Sequence, residues 1–94
     1  MHLGDLFMDV AAMRLLERSL ATEQEQVAGL LASLERGLAT LSGLWQAPSA
    51  HEHEQILIAA ISHLRRILRQ YDDLLFLIRR EITEWQAIDR EFGE

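Results

Sequence analysis

Near its midpoint the chain reads Ser42-Gly43-Leu44-Trp45-Gln46-Ala47-Pro48-Ser49, and this stretch separates two long helical patterns. Pro48 is the only proline among the 94 residues. A proline disfavours helical backbone at the residue before it and has no amide proton for the helical hydrogen-bond ladder. We therefore predict a turn at about residues 44–48. Ser49, with Glu52 three residues later, is typical of the N-terminus of a second helix.

On both sides of this turn, apolar residues recur at alternating steps of three and four, which is the heptad spacing of packed helices. The pattern predicts an all-α fold in which two long antiparallel helices, about 5–43 and 49–92, form a hairpin. The whole chain, 1–94, is then a single domain. We assign the seam of the predicted dimer to Leu31, Leu34, Leu38, Leu41, Leu57, Ile61, Leu64, Leu68, Tyr71, Leu75, Ile78 and Ile82.

The apolar face of each helix is wider than the seam of a two-stranded coiled coil. In heptad notation the seam residues occupy positions a and d, and further apolar residues occupy position g. These g residues are Leu16, Leu30, Leu44, Ala60, Ile67, Leu74 and Ile88. A helix with so wide a face needs two neighbours, whereas a hairpin supplies one. We therefore expect two hairpins to pair into a four-helix bundle, either as a homodimer or as a heterodimer with a sibling hairpin protein.

Polar residues interrupt the first seam at Glu17 and Gln24, one heptad apart. Polar seam residues often select the register or the partner of a helix rather than adding stability. We expect these two residues to specify which helix lies opposite. The alternative is that this stretch is frayed or faces solvent.

Composition and charge argue against several classes of function. The formal net charge is −6 and all nine basic residues are arginines, which disfavours binding to nucleic acid or strong binding to an anionic membrane. Cysteine is absent, so disulfides and thiolate sites are excluded. The N-terminal residues do not have the pattern of a cleavable signal peptide.

No catalytic or metal-binding arrangement is recognisable in the sequence. The run His51-Glu52-His53-Glu54 is the strongest metal candidate, but His51 and His53 lie about 200° apart on a helix and face different directions. We therefore predict a non-enzymatic protein without a cofactor or a resident metal ion.

With a central tryptophan between two amphipathic helices, the chain resembles the WXG (Trp-X-Gly) family, the small ESAT-like helical hairpins of bacterial type VII secretion. The resemblance extends over the whole chain and is centred on the turn motif Trp45, Ala47 and Pro48. Family members carry glycine at the third position of the motif, where this chain has Ala47. The resemblance implies a small helical protein that dimerises.

A second family feature is an export signal near the C-terminus, formed by an aromatic residue, three further residues and an acid. Trp85-Gln86-Ala87-Ile88-Asp89 is similar to this signal, with Trp85 in place of the usual tyrosine and Asp89 as the acid. Their spacing places both residues on one helix face, one turn apart. The alternative is that Trp85 is an ordinary seam residue.

The resemblance implies a substrate or assembly partner of a type VII-like secretion system. Such a protein is made in the bacterial cytoplasm, dimerises, presents its C-terminal segment to a secretion ATPase and is secreted without a cleavable signal peptide. The alternative that the sequence leaves open is an intracellular helical adaptor or dimerisation module unrelated to secretion.

Overall fold

The computed structural model describes the backbone of Leu3–Ser42 and Pro48–Phe92 and the side chains of residues 9–40 and 51–91. Helix α1 spans Leu3–Ser42 and helix α2 spans Pro48–Phe92. All described backbone is α-helical, which confirms the predicted all-α fold of two long helices. Neither helix, where described, contains an apolar stretch long enough to span a bilayer.

The helix boundaries differ slightly from those expected. Helix α1 begins at Leu3, two residues before the predicted start. Helix α2 begins at Pro48, so Ser49 lies inside the helix and does not cap it. Proline is well suited to the first helical position, since its fixed φ angle is helical and the amide proton that it lacks would have had no helical acceptor there.

The hairpin comprises two compact units. Unit 1 consists of Met1–Glu23 and Tyr71–Glu94, the first part of α1 and the last part of α2. Unit 2 consists of Gln24–Gln70, which contains the rest of both helices. In each unit a segment of α1 packs against a segment of α2 that runs in the opposite direction, as the heptad pattern predicts.

Few side chains are fully buried within either unit. Leu75 and Ile82 in unit 1 and Ile61 in unit 2 are the buried apolar residues among the described side chains, and Leu75 is only 2% exposed. All three occupy position a of the heptads. The other predicted seam residues are half-buried, apart from Leu41, whose side chain lies outside the described set. Each unit therefore has a thin core, one layer of side chains between two helices.

Candidate interaction surfaces

In unit 1 an ion pair joins the two helices at the first polar interruption of the seam. The Arg79 Nε atom donates a hydrogen bond of 2.7 Å to Glu17 Oε2. The side chain of Glu17 is 27% exposed, whereas that of Arg79 is 58% exposed. Arg79 therefore reaches in from the helix surface to neutralise a carboxylate at a seam position, which makes the charge tolerable there.

A second polar contact in unit 1 joins Tyr71 to Glu23. The Tyr71 hydroxyl donates a hydrogen bond of 3.1 Å to Glu23 Oε2. This bond raises the pKa of the Tyr71 phenol above its ordinary value of 10.0, and partial desolvation and the negative charge of Glu23 act in the same direction. Both polar contacts pair a residue of α1 with one of α2. Glu17 precedes Glu23 in α1, whereas the partner of Glu17, Arg79, follows the partner of Glu23, Tyr71, in α2. They are thus consistent with antiparallel packing.

Unit 2 carries one interhelical ion pair, which identifies one flank of the helix pair. Arg65 Nη2 donates a hydrogen bond of 3.3 Å to Glu35 Oε1, and both residues occupy position e. In an antiparallel pair the e positions of the two helices lie on one flank and the g positions on the other. We call these two sides the e flank and the g flank.

The g flank of unit 1 is an exposed apolar surface, which we call the leucine stripe. It consists of Leu16, Leu74, Leu77 and Ile88. Leu16, Leu74 and Ile88 occupy position g, and Leu77 lies one turn from Leu74 on the same side. Leu74 is 47% exposed although the adjacent Leu75 is in the core. In unit 2, Leu30 is likewise exposed at position g.

The e flank of unit 1 contains an open groove of about 570 Å³, which we call the arginine groove. It is lined by Val10, Ala11, Arg14, Leu15 and Arg18 of α1 and by Gln86 and Asp89 of α2. Arg14 and Arg18 form no ion pair with any described residue; the Arg18 Nε atom donates a long hydrogen bond of 3.5 Å to the Arg14 carbonyl oxygen. Leu15 lies between them and is 63% exposed.

The two residues of the predicted export signal both lie in unit 1, one turn apart on α2. Trp85 and Asp89 are half-buried, so neither is freely displayed on the outer surface. The Asp89 Oδ1 atom is shielded from solvent and has no hydrogen-bond partner. A shielded carboxylate oxygen without a donor costs free energy relative to one that is solvated or hydrogen-bonded.

The predicted turn motif is only partly placed. Trp45 and Ala47 lie outside the described residues, and Pro48 is placed as the first residue of α2. The place of Trp45 in the turn motif stays a prediction.

The sequence did not predict the arginine groove or the interhelical polar contacts. One signal was present: Arg14 and Arg18 lie one helical turn apart on either side of a leucine. The cross-helix partners had no comparable signal, because Glu17 and Arg79 are 62 positions apart in the chain. Within the described residues, no three His, Asp or Glu side chains are grouped to hold a metal ion.

Comparison of the chain with protein-family models, curated proteins and solved structures yields no match.

Proposed function

We propose that this protein is a non-catalytic helical hairpin that pairs with a second hairpin into a four-helix bundle, and that it is a substrate or assembly partner of a bacterial type VII-like secretion system. The leucine stripe is the observation that carries the first part of this proposal. Four large aliphatic side chains on one flank of unit 1 are exposed, and burying them against a partner is favourable by about 25 cal/mol for each Å² of apolar area removed from water.

The accessible surface area supports association as well. The chain exposes 7023 Å² at a mass of 10.8 kDa, whereas a compact monomer of that mass exposes about 5,500 Å². This difference for one chain is larger than the roughly 800 Å² that each partner contributes to a specific interface of standard size. A second hairpin lying along the g flank is the simplest way to cover it.

The direct test of association compares two substitutions in the leucine stripe with a matched pair elsewhere. Leu74→Glu with Leu77→Glu places two charges in the proposed interface, whereas Leu15→Glu with Phe76→Glu places two charges at exposed apolar positions away from it. Light scattering should give a dimer for the wild type and the control and a monomer for the stripe variant. A wild-type protein that is folded and monomeric at micromolar concentration would refute the homodimer. A protein that folds only with a co-expressed hairpin partner would indicate the heterodimer.

The secretion role rests on the resemblance to the WXG family and on the pair Trp85 and Asp89. If a secretion ATPase reads these side chains, Trp85→Ala with Asp89→Ala should retain the protein in cells that have an active type VII system. Glu91→Ala, in the next turn of α2, is the matched control and should be exported like the wild type. The variants must first be shown to fold by circular dichroism. Equal export of the folded double variant and the wild type would remove the signal assignment.

An intracellular adaptor is the second candidate function, and one observation favours it. Trp85 is half-buried at a seam position. Packing between the helices explains a tryptophan there without recognition by a secretion ATPase. In that case the stripe variant loses association, and no variant affects the location of the protein.

A further inference from the structure

We propose that the arginine groove of unit 1 is a docking site for an acidic amphipathic helix of a partner protein. The groove lies on the e flank, so it is distinct from the leucine stripe on the g flank. The inference therefore does not depend on the proposed dimer or on secretion.

The first argument is charge. The chain has a formal net charge of −6, yet this groove presents two guanidinium groups, Arg14 and Arg18, that form no ion pair with a described residue. Elsewhere in unit 1, Arg79 is paired with Glu17 and Arg80 with Glu84, whereas Arg90 forms no ion pair with a described residue. Guanidinium groups form paired, parallel hydrogen bonds with carboxylates, so two free arginines in an acidic protein favour an occupant that brings its own acids.

The second argument is spacing. Arg14 and Arg18 are separated by one helical turn, about 6 Å along the helix axis. Two carboxylates four residues apart on a second helix have the same separation, so each can face one arginine.

The third argument is the apolar floor of the groove. Val10 and Ala11 line it, and Leu15, next to Arg14 in the chain, also lines it with 63% of its surface exposed. A polyphosphate or a nucleic acid gains nothing from these apolar side chains. An amphipathic helix gains from all three apolar residues, as helices docked in grooves generally do.

Asp89 provides a further point of recognition at the edge of the groove. Its Oδ1 atom has no hydrogen-bond donor. A helix with a serine, threonine or lysine beside its acidic pair would supply the missing donor. The expected occupant is therefore a helix with two acids one turn apart, a leucine-like residue between them and a hydrogen-bond donor nearby.

The test uses fluorescence anisotropy with the full chain and a labelled, helix-stabilised peptide of about sixteen residues, long enough to cover the groove at 1.5 Å per residue. The peptide carries two glutamates four residues apart, with leucine and serine at neighbouring positions, and a control peptide carries glutamine in place of both glutamates. We expect saturable binding of the acidic peptide that weakens with added salt and is about two- to thirtyfold weaker for the glutamine peptide, as the loss of two exposed ion pairs implies.

Arg14→Gln with Arg18→Gln should weaken binding of the acidic peptide by a similar factor. Arg65→Gln with Arg69→Gln is the matched control, because it removes two arginines at the same spacing from unit 2, and it should leave binding unchanged. Equal losses for both double variants would overturn the site assignment and indicate general electrostatic attraction. The absence of saturable binding by the wild type, or equal binding of both peptides, would also overturn it.

Two further measurements distinguish other occupants of the groove. If a single-stranded oligonucleotide displaces the peptide, the groove binds polyanions, and the assignment to an acidic helix is wrong. If Arg14→Gln with Arg18→Gln reduces the oligomeric size of the unliganded protein in light scattering, a second copy of this chain occupies the groove instead of a different partner. An unchanged size and no displacement by the oligonucleotide are the results that support the proposal.

Discussion

At the first polar interruption of the seam, the side chain has a partner on the other helix. Glu17 occupies a position where heptads favour an apolar residue, and Arg79 compensates its charge at 2.7 Å. Gln24 is the second interruption, and it also has an interaction partner in the structure. The pair with Arg79 favours the alignment of α2 that brings this arginine next to Glu17. Other alignments would leave the Glu17 carboxylate poorly solvated and unpaired.

The ion pair predicts unequal effects of removing its two members. Arg79→Met should destabilise the fold by about 1 kcal/mol, because it leaves the mostly covered Glu17 carboxylate without its partner. Glu17→Met should be neutral or stabilising, because it places an apolar side chain in the seam. Arg80→Met is the matched control, since Arg80 pairs with Glu84 on the outside of α2 and its loss should cost at most about 0.5 kcal/mol. Urea unfolding followed by circular dichroism provides the three free energies, and equal losses for Arg79→Met and Glu17→Met would contradict this account.

Tyr71 offers a direct measurement of the second polar contact, because it is the only tyrosine in the chain. Its hydrogen bond to Glu23 favours the protonated phenol, so the absorbance of the phenolate should appear above the ordinary pKa of a tyrosine. Glu23→Gln removes the negative charge and should lower the pKa of Tyr71 towards that ordinary value. Glu25→Gln, a nearby change of the same type on the exposed surface of α1, should leave the titration unaltered.

The sign of the linked effect on stability follows from the raised pKa. The contact stabilises the folded state fully below the pKa of the unfolded tyrosine, and this contribution is lost as the pH rises through the higher pKa of the folded state. Alkaline solutions should therefore weaken the wild-type hairpin more than Glu23→Gln. An identical dependence of stability on alkaline pH in both proteins would show that the hydrogen bond has no energetic role.

Helix α1 contains two residues of low helix propensity in its interior. Gly29 and Gly37 lie in the interior of α1, where glycine is unfavourable because the unfolded chain has more conformations to lose. A Cβ atom added at either position would meet no other atom within 4 Å. Neither glycine has a positive φ angle, so the backbone there suits any residue. Nothing within a single copy of the hairpin requires glycine at these positions.

We therefore expect Gly29→Ala to stabilise the hairpin by about 1 kcal/mol, the difference in helix propensity between the two residues. Ala28→Gly is the matched control at the adjacent exposed position, and it should destabilise the hairpin by a similar amount. The midpoint of urea unfolding measures both effects. A destabilising Gly29→Ala would mean that a partner approaches the backbone of α1 closely at this point, since the single copy leaves the space open.

At the scale of the whole molecule, the hairpin has too little core for its exposed apolar surface. Three described apolar side chains are buried, while nine large apolar side chains are exposed. Substitution of a core residue and of its exposed neighbour should therefore have different consequences. Leu75→Ala removes a buried side chain and should cost about 2–5 kcal/mol in any state of association. Leu74→Ala should affect mainly the stability that association provides.

Association further predicts a melting temperature that depends on protein concentration. If two hairpins form one bundle, dilution shifts the equilibrium towards separate chains and lowers the melting temperature. Leu74→Glu with Leu77→Glu should melt at a lower temperature that no longer changes with concentration. Circular dichroism over a hundredfold range of concentration makes the comparison. A wild-type melting temperature that is constant over this range would argue against a dimer.

Much of this architecture follows from sequence because it depends on local and periodic features. Pro48 cannot continue a helix that runs into it and stands at the start of α2, and the heptad steps require no knowledge of the partner helix. The predicted g-position residues Leu16, Leu74 and Ile88 are indeed exposed on one flank of unit 1. The width of an apolar face can be read along a single helix.

The cross-helix contacts depended on tertiary structure alone. The relative rotation and axial alignment of two helices decide which of several arginines reaches Glu17, and a shift of one turn would offer Arg79 a different partner. Among the described residues, the same alignment leaves Arg14 and Arg18 without an ion-pair partner and Asp89 Oδ1 without a donor, and these side chains line the arginine groove. Sequence periodicity determined the helices and their faces, because it is a property of each chain segment. The polar pairing required the packed hairpin, because it is a property of two segments held in one alignment.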